Sequence, residues 1–329
     1  MTKNTLGLLG GVILAKVLRR RIPLAVSWII TERCNYRCVY CNEHQVSVSE
    51  EIREEKVLFL IRTMARLGVK VISFTGGEPL LREDIGRILD CCSQEGILTR
   101  LNSNGALVPL RIKEIRPVGK LTLSLDGPEE VNDPLRGAGS FKRVVDAAEA
   151  AARHSVKTGF LTVLSAGNVQ SRYIDFMLKF ASNYKSDVTF QPVFQNRLRG
   201  QGKTLVDPFI TDYREMLDYL IALKKKGANI GNSVAGLRHL KLWPDPAPLS
   251  CAGEFIFRRI DPRGNVMLCG VCPRPNIAGN CFQEDLRDLF LKTKPMTCDF
   301  CWCAERVEVN YFFKGNLNAV YNRLKRFFR

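Results

Sequence analysis

Both ends of the chain lack acidic residues: none precedes Glu32 and none follows Glu308. The 329 residues carry a formal charge of +16, which calls for an acidic partner: nucleic acid, anionic lipid headgroups or an acidic electron donor. Tyr and Phe are not interleaved with Lys and Arg on any expected strand, and this ranks nucleic acid last. A membrane-crossing run is also lacking. Residues 6–18 are largely apolar, but about 13 residues fall short of the roughly 20 that a spanning helix needs. No cleavable secretion signal is visible either, because most of the positive charge follows the apolar run, at Arg19, Arg20 and Arg21. Histidine is scarce, with only His44, His154 and His239. His44 stands three residues past a cysteine triplet and is a candidate to face a site there, whereas His154 at a helix end reads as structural. A hydrophobic content of 46% and a charged content of 25% exclude disorder. The length suits one large α/β domain with a small appendix.

Cysteine, by contrast, is abundant at twelve. Without a secretion signal these residues point to metal ligands in a reducing compartment rather than to disulfides. Cys34, Cys38 and Cys41 are spaced C-x3-C-x2-C directly after an apolar run over 24–30 that reads as a buried strand. Three thiolates on one short loop can hold three irons of a 4Fe–4S cluster and leave the fourth iron open, whereas an electron-transfer cluster takes four thiolates. A zinc knuckle or three core thiols are the alternatives, and structural zinc wants four ligands close at hand. A second group comprises Cys251, Cys269 within Gly264-x4-Cys269, and Cys298-x2-Cys301, with Cys303 close behind. Residues 255–260 and 265–268 read as a hairpin around Asp261-Pro262-Arg263-Gly264, which would bring four thiolates together. On the residues alone, a four-cysteine zinc ribbon and an iron–sulfur cluster both fit. Cys272, Cys281 and Cys303 are surplus; Cys303 could displace Cys301 and Cys272 could replace Cys269. Cys91 and Cys92 read as buried core thiols.

Between the two groups, apolar periodicity alternates. Helices are expected over 50–67, 81–95, 140–154, 169–184 and 212–226, and further strands over 69–74, 97–101, 121–125, 158–164 and 188–193. Six strands alternating with helices imply parallel βαβ units with right-handed crossovers. Ligands gather at the carboxyl ends of strands in such barrels, and the remaining motifs fall there. Thr75-Gly76-Gly77-Glu78-Pro79 follows the second strand. Its glycines let the backbone approach a ligand closely, and its carboxylate can accept hydrogen bonds from an ammonium. Asn102-Ser103-Asn104-Gly105 ends the third strand and Ser124-Leu125-Asp126-Gly127-Pro128 the fourth; both are also ordinary turn formers. Gln191 and Pro192 sit at the sixth.

The cysteine loop is preceded by Thr31-Glu32-Arg33, has Tyr40 before its third cysteine, and is followed about 35 residues later by Gly76-Gly77-Glu78-Pro79. In these features the chain resembles the radical SAM superfamily, over about residues 24–305. The resemblance implies a partial (β/α)6 TIM-like barrel with a small C-terminal cysteine-rich β-hairpin/helix domain. It implies that Cys34, Cys38 and Cys41 hold a 4Fe–4S cluster whose open iron is chelated by S-adenosyl-L-methionine (SAM). Tyr40, Gly76, Gly77, Glu78 and Pro79 then border the cosubstrate, with its amino group at the Gly-Gly-Glu-Pro turn. Ser103 and Ser124 lie near its ribose or carboxylate, Arg136 pairs with the carboxylate, and the Gln191 region borders the adenine or the substrate. An electron from a reduced ferredoxin- or flavodoxin-type donor would cleave SAM to methionine and a 5′-deoxyadenosyl radical, which takes hydrogen from a substrate. The second cysteine group resembles the twitch or SPASM extension, implying an auxiliary 4Fe–4S cluster on Cys251, Cys269, Cys298 and Cys301. No cysteine follows Cys303, which fits the one-cluster twitch form. No catalytic side chain is assigned, because the hard chemistry belongs to the cofactor.

The chain accordingly divides into a basic amphipathic segment (1–23), a radical SAM core (24–230), an auxiliary-cluster domain (231–310) and a basic amphipathic tail (311–329). The two ends read either as helices closing the barrel or as segments lying on an anionic membrane. The latter would make the protein cytoplasmic but peripheral on the inner membrane face. It also puts a lipid or lipid-linked precursor first as substrate, with a ribosomally made peptide or protein as the alternative. A non-catalytic iron–sulfur or zinc binding module is a third reading, against which the Gly-Gly-Glu-Pro turn argues.

Overall fold

The computed structural model describes residues 3–41, 51–193, 209–270, 277–292 and 298–328. His44 and Cys272 lie outside the described residues. In chain order the elements are α1 (Lys3–Val17), β1 (Ala25–Thr31), α2 (Glu54–Arg66), β2 (Val71–Gly76), α3 (Ile85–Gln94), β3 (Leu98–Ser103), α4 (Val108–Arg111), β4 (Lys120–Ser124), α5 (Glu129–Arg136), α6 (Ser140–Arg153), β5 (Thr158–Leu164), α7 (Ser171–Asn183), β6 (Val188–Pro192) and α8 (Ile210–Lys225). The C-terminal part adds α9 (Val234–Leu240), α10 (Gly253–Ile256), β7 (Phe257–Ile260), β8 (Asn265–Met267), β9 (Ile277–Asn280), α11 (Leu286–Lys292), α12 (Ala304–Lys314) and α13 (Leu317–Phe328).

All these strands form one sheet in the order β6-β5-β4-β3-β2-β1-β7-β8-β9. The first six pair in parallel as expected. Their side chains sort by strand alternation. Val26, Trp28, Ile30, Ile72, Phe74, Leu121, Leu123, Phe160 and Phe190 are buried in the main core. There they meet helix residues such as Leu60, Ile61, Met64, Ile88, Leu89 and Met177. Burying one such side chain is worth roughly 1.5–3 kcal/mol. The alternate positions, among them Ser27, Ser73, Thr75, Asn102, Thr122 and Ser124, line a cavity on the other face. The sheet is thus a half-barrel whose lumen carries these polar side chains among apolar ones.

The expected hairpin does not stand apart from this sheet. β7 runs parallel to β1, with Ala25 opposite Phe257 and Trp28 opposite Ile260, and β8 and β9 follow antiparallel. The sheet therefore continues without a break from the 24–230 segment into the 231–310 segment.

Both ends of the chain close the barrel floor. Leu8, Val12 and Ala15 of α1 pack with Leu24 and Ile256, beside Val309, Phe312 and Phe313 of α12. Gly11 permits the approach, since a Cβ there would stand 2.5 Å from Leu24 Cδ2. The opposite side of α1 leaves Ile13, Leu14, Val17 and Leu18 exposed. α13 docks through Asn322, whose Nδ2 donates to Gly231 O at 2.9 Å, while Leu317 and Tyr321 face outward. Among the described residues, no helix is long and apolar enough to cross a membrane.

Candidate active site

The cysteine loop leaves β1 at the carboxyl end of the sheet and is fixed by charge at its start. Arg33 grips Glu51 with two parallel hydrogen bonds, Nε to Oε1 at 2.8 Å and Nη2 to Oε2 at 2.9 Å, the geometry a guanidinium fork favours. Further along, Val39 N donates to Leu135 O at 3.0 Å, and the Tyr40 hydroxyl donates to Asp126 Oδ2. Asp126 is fully buried at the end of β4. Its Oδ1 accepts from Val163 N at 2.9 Å and from Arg136 Nη2 at 3.1 Å. Arg136 Nε stands 2.7 Å from Asp126 Oδ2 without the alignment of a hydrogen bond, and the guanidinium carbon lies 5.5 Å from the Tyr40 ring centroid. Burial opposes the charge on Arg136, but Asp126 outweighs it and holds the guanidinium more firmly protonated than usual.

The Gly-Gly-Glu-Pro turn meets this loop backbone to backbone. Gly77 N donates to Thr31 O at 3.0 Å and Glu78 N to Arg33 O at 2.8 Å. A Cβ on Gly76 would stand 2.2 Å from Thr31 O, and one on Gly77 would stand 2.1 Å from Arg33 O. The close approach that these glycines permit in the structure is to β1 and the start of the cysteine loop, and both glycines also line the cavity. Glu78 is buried and accepts from Leu80 N (3.1 Å), Ser103 Oγ (3.0 Å) and Asn104 N (2.7 Å). Burial nevertheless pushes its carboxyl up to about 7, against the pull of those donors. Pro79 is buried at the first position of a short 3-10 turn, Pro79–Leu81. Asn104 Nδ2 reaches Asn35 Oδ1 at 2.7 Å, tying the end of β3 to the loop.

Cys34, Cys38, Cys41, Tyr40, Ser103, Ser124 and Arg136 all line one cavity of about 430 Å³. Cys269 and Cys303 line the same cavity. The second thiol group gathers behind them. Burial raises the Cys301 thiol, and the charges of Cys303, Cys269 and Cys251 raise it further. Cys303, surplus in the sequence reading, thus stands within electrostatic reach of two of the four expected ligands, Cys301 and Cys269. Cys298 is half-buried. Cys281, Cys91 and Cys92 are buried in the main apolar core.

The donor set suits iron–sulfur clusters. Burial pushes Cys38 up to about 11 and raises Cys34 as well; the neighbouring Cys41 adds to both shifts, and Cys34 adds to that of Cys38. Such thiols stay protonated until a metal displaces the proton. Among the described residues, no three His, Cys, Asp or Glu side chains close around a single ion. A four-iron cluster makes no such demand, since each thiolate binds a different iron. Cys34, Cys38 and Cys41 would hold one cluster, and the group around Cys301 would hold the other.

Sequence reasoning passed over three contributors. Asp126 looked like a turn former, although its place at a strand end was a signal. Asn104 was hidden in an Asn-Gly turn, and Arg306, described below, carried no motif.

A parallel half-barrel that presents three loop thiols and strand-end polar groups to one cavity defines a cluster-bearing α/β barrel protein. Residues 28–176 match the family model described as the Radical SAM superfamily, which marks that stretch of the chain as a radical SAM domain. It is 32% identical over 160 residues to a probable GTP 3′,8-cyclase of Archaeoglobus fulgidus, covering 47% of this chain and 53% of that protein. It is 26% identical over 258 residues to the mycofactocin maturase MftC of Mycolicibacterium smegmatis, covering 75% of this chain and 64% of that one. The chain spans about half the length of the curated relatives it matches. Its fold is shared with SuiB of Streptococcus suis in the S-adenosylmethionine-bound structure, at a TM-score of 0.66 and 19% identity, covering 86% of this chain and 69% of SuiB.

Proposed function

We propose that the protein is a radical SAM enzyme that takes hydrogen from a peptide or protein substrate. The observation that carries this reading is the shared cavity: Cys34, Cys38 and Cys41 line it together with Cys269 and Cys303. A substrate held there lies between the two thiol groups. The bound cluster of the first group supplies reductive cleavage of SAM, with one electron from a ferredoxin- or flavodoxin-type donor whose acidity suits the charge of +16. The chain's own residues hold and orient. Arg33 and Tyr40 fix the cysteine loop, Gly76 and Gly77 offer backbone to the cavity, and Ser103 and Ser124 offer hydroxyls. α1 shuts the floor against water. A peptide is favoured because the match to MftC runs well beyond the radical SAM domain, whereas the match to the cyclase covers under half of the chain. SuiB, whose fold this chain shares, is also known with the precursor peptide SuiA bound.

The test is anaerobic reconstitution with iron and sulfide, followed by a SAM-cleavage assay under a strong reductant. 5′-Deoxyadenosine should form in the wild type and not in Cys34→Ala. Its absence from a fully loaded wild type would overturn the enzyme reading. A short peptide gene next to this one would favour the peptide, and lipid or glycan genes would favour the second reading.

That second reading, a lipid-linked substrate on an enzyme docked at an anionic membrane, is favoured by one surface. Lys16 Nζ lies 3.0 Å from where a Cβ on Gly315 would stand, so the end of α1 meets the α12–α13 turn. Near that meeting point Ile13 and Val17 of α1 are 62% and 71% exposed, Leu317 and Tyr321 of α13 are exposed, and so are the bases Lys16, Arg19, Arg20 and Lys314. Each base near an anionic bilayer is worth about 1 kcal/mol, and that part is screened by salt. Vesicles of phosphatidylcholine with phosphatidylglycerol should cosediment the protein at low salt and lose it at high salt. The double variant Ile13→Glu/Val17→Glu should not bind. Indifference of the wild type to these vesicles at low salt would remove the membrane from the reading.

A further inference from the structure

Two buried cations stand near the second thiol group. Arg258 and Arg306 are 1% and 8% exposed, and among the described residues neither makes an ion pair. Arg258 spends its hydrogen bonds on carbonyls, Gly253 O at 2.9 Å and Phe290 O among them. Burial and the nearby charges of Arg21 and Arg306 bring it down to about 10, against the pull of Glu254 and Cys251. Arg306, on the first turn of α12, lies over the Phe257 ring and donates from Nη2 to Leu268 O at 3.2 Å. Its Nη1 is buried and has no acceptor among the described residues. A buried charged donor left unpaired is costly, so such a group usually has a partner.

The place of Nη1 shows what that partner is. A Cβ on Gly253 would stand 3.8 Å from Arg306 Nη1 and 3.0 Å from Cys251 Sγ, so the unmet donor and the thiol flank the same glycine. The charge of Arg306 also favours the thiolate forms of Cys301 and Cys303. Carboxylate Glu305, one residue before, is engaged by Arg100 at 2.6 Å and Arg323 at 3.0 Å. Arg306 therefore keeps one buried donor beside the thiols that no described residue meets.

We propose that Arg306 is the positioning and redox-tuning cation of the auxiliary cluster. It donates from Nη1 to sulfur in the group formed by Cys251, Cys269, Cys301 and Cys303. The proposal rests on the reading of those thiols as cluster ligands. Taking up an electron adds negative charge to the cluster, and a fixed cation with a sulfur-directed N–H in a dry pocket favours that state. Arginine suits the role because its fork can spend Nη2 on the Leu268 carbonyl and still aim Nη1 at sulfur, which a lysine cannot do.

The experiment uses the full chain carrying Cys34→Ala, Cys38→Ala and Cys41→Ala, so that only the second group holds iron. Arg306→Gln and Arg306→Lys are compared in this background by redox titration followed by electron paramagnetic resonance. At the midpoint potential of the parent, Arg306→Gln should show a reduced-to-oxidised ratio lower by about tenfold, a midpoint about 59 mV more negative for a one-electron couple. Arg306→Lys should recover part of the shift. An unchanged midpoint in Arg306→Gln with parental iron content overturns the proposal. Loss of iron from the Gln variant alone supports the role of the charge, whereas loss from both variants makes Arg306 structural and overturns it. A parent with zinc or no iron at the second group overturns the cluster reading itself.

Discussion

Arg136 Nε stands 2.7 Å from Asp126 Oδ2, with both groups buried and the Tyr40 hydroxyl on the same oxygen. This pair joins α5, the end of β4 and the cysteine loop. Removing one partner strands the other as an uncompensated buried charge, which costs about 3–5 kcal/mol. Asp126→Ala should therefore lower stability to urea by roughly that amount and reduce the iron bound at Cys34, Cys38 and Cys41. Unchanged unfolding midpoints would show that the pair contributes nothing net.

Gly77→Ala should be disruptive for a different reason. The new methyl would meet the Arg33 carbonyl, which is held in the backbone rather than in a flexible side chain. Overpacking of this kind costs about 1–3 kcal/mol. Gly10→Ala on α1 has open space around its Cβ and should instead stabilise by about 0.5–1 kcal/mol. Thermal unfolding of the two variants gives the comparison.

Iron stoichiometry separates the two thiol groups. The wild type should hold about eight irons, as two four-iron clusters. Substituting Cys34, Cys38 or Cys41 with alanine should abolish 5′-deoxyadenosine formation and leave about four irons on the second group. Retained product in any of the three would sink the assignment of the open iron.

Glu78 gives a pH signature. Its carboxyl rises from 4.5 to about 7 on folding, so the folded state binds the proton more tightly than the unfolded one. Stability should fall as pH rises from about 4.5 to about 7, by about 3 kcal/mol in total. Glu78→Gln, which imitates the neutral acid, should flatten that slope. Urea titrations of both proteins at pH 5 and pH 8 measure the difference, and parallel slopes would contradict the burial argument.

The six parallel strands were legible because apolar periodicity and turn residues report local structure directly. β5 was expected over 158–164 and spans Thr158–Leu164. The helix expected from 81 starts only at Ile85, because Pro79–Leu81 first makes a 3-10 turn that seats the Glu78 side chain. Spacing also brought out the cysteines, since their chemistry depends on few residues close in sequence. Asp126 with Arg136, and Arg306 with Cys251, were not legible. Their meaning comes from burial and from partners distant in the chain, which no local pattern records. The tail was readable as amphipathic, whereas α1 proves apolar on both sides, with Leu8 and Val12 buried and Ile13 and Val17 exposed; the meeting of the two ends at Lys16 and Gly315 is a tertiary fact.

The pairing of β1 with β7 has a practical consequence for anyone dissecting this chain. β7 covers the edge of the strand that launches the Cys34 loop. A fragment ending at residue 230 would keep every residue of the first thiol group and still bare a row of unpaired amides and carbonyls beside it. Exposed edges of that kind recruit other strands, so such a fragment should be recovered as aggregate. Any modular use of the barrel, including transplanting a different C-terminal unit onto it, must supply a strand to fill the place of Phe257–Ile260.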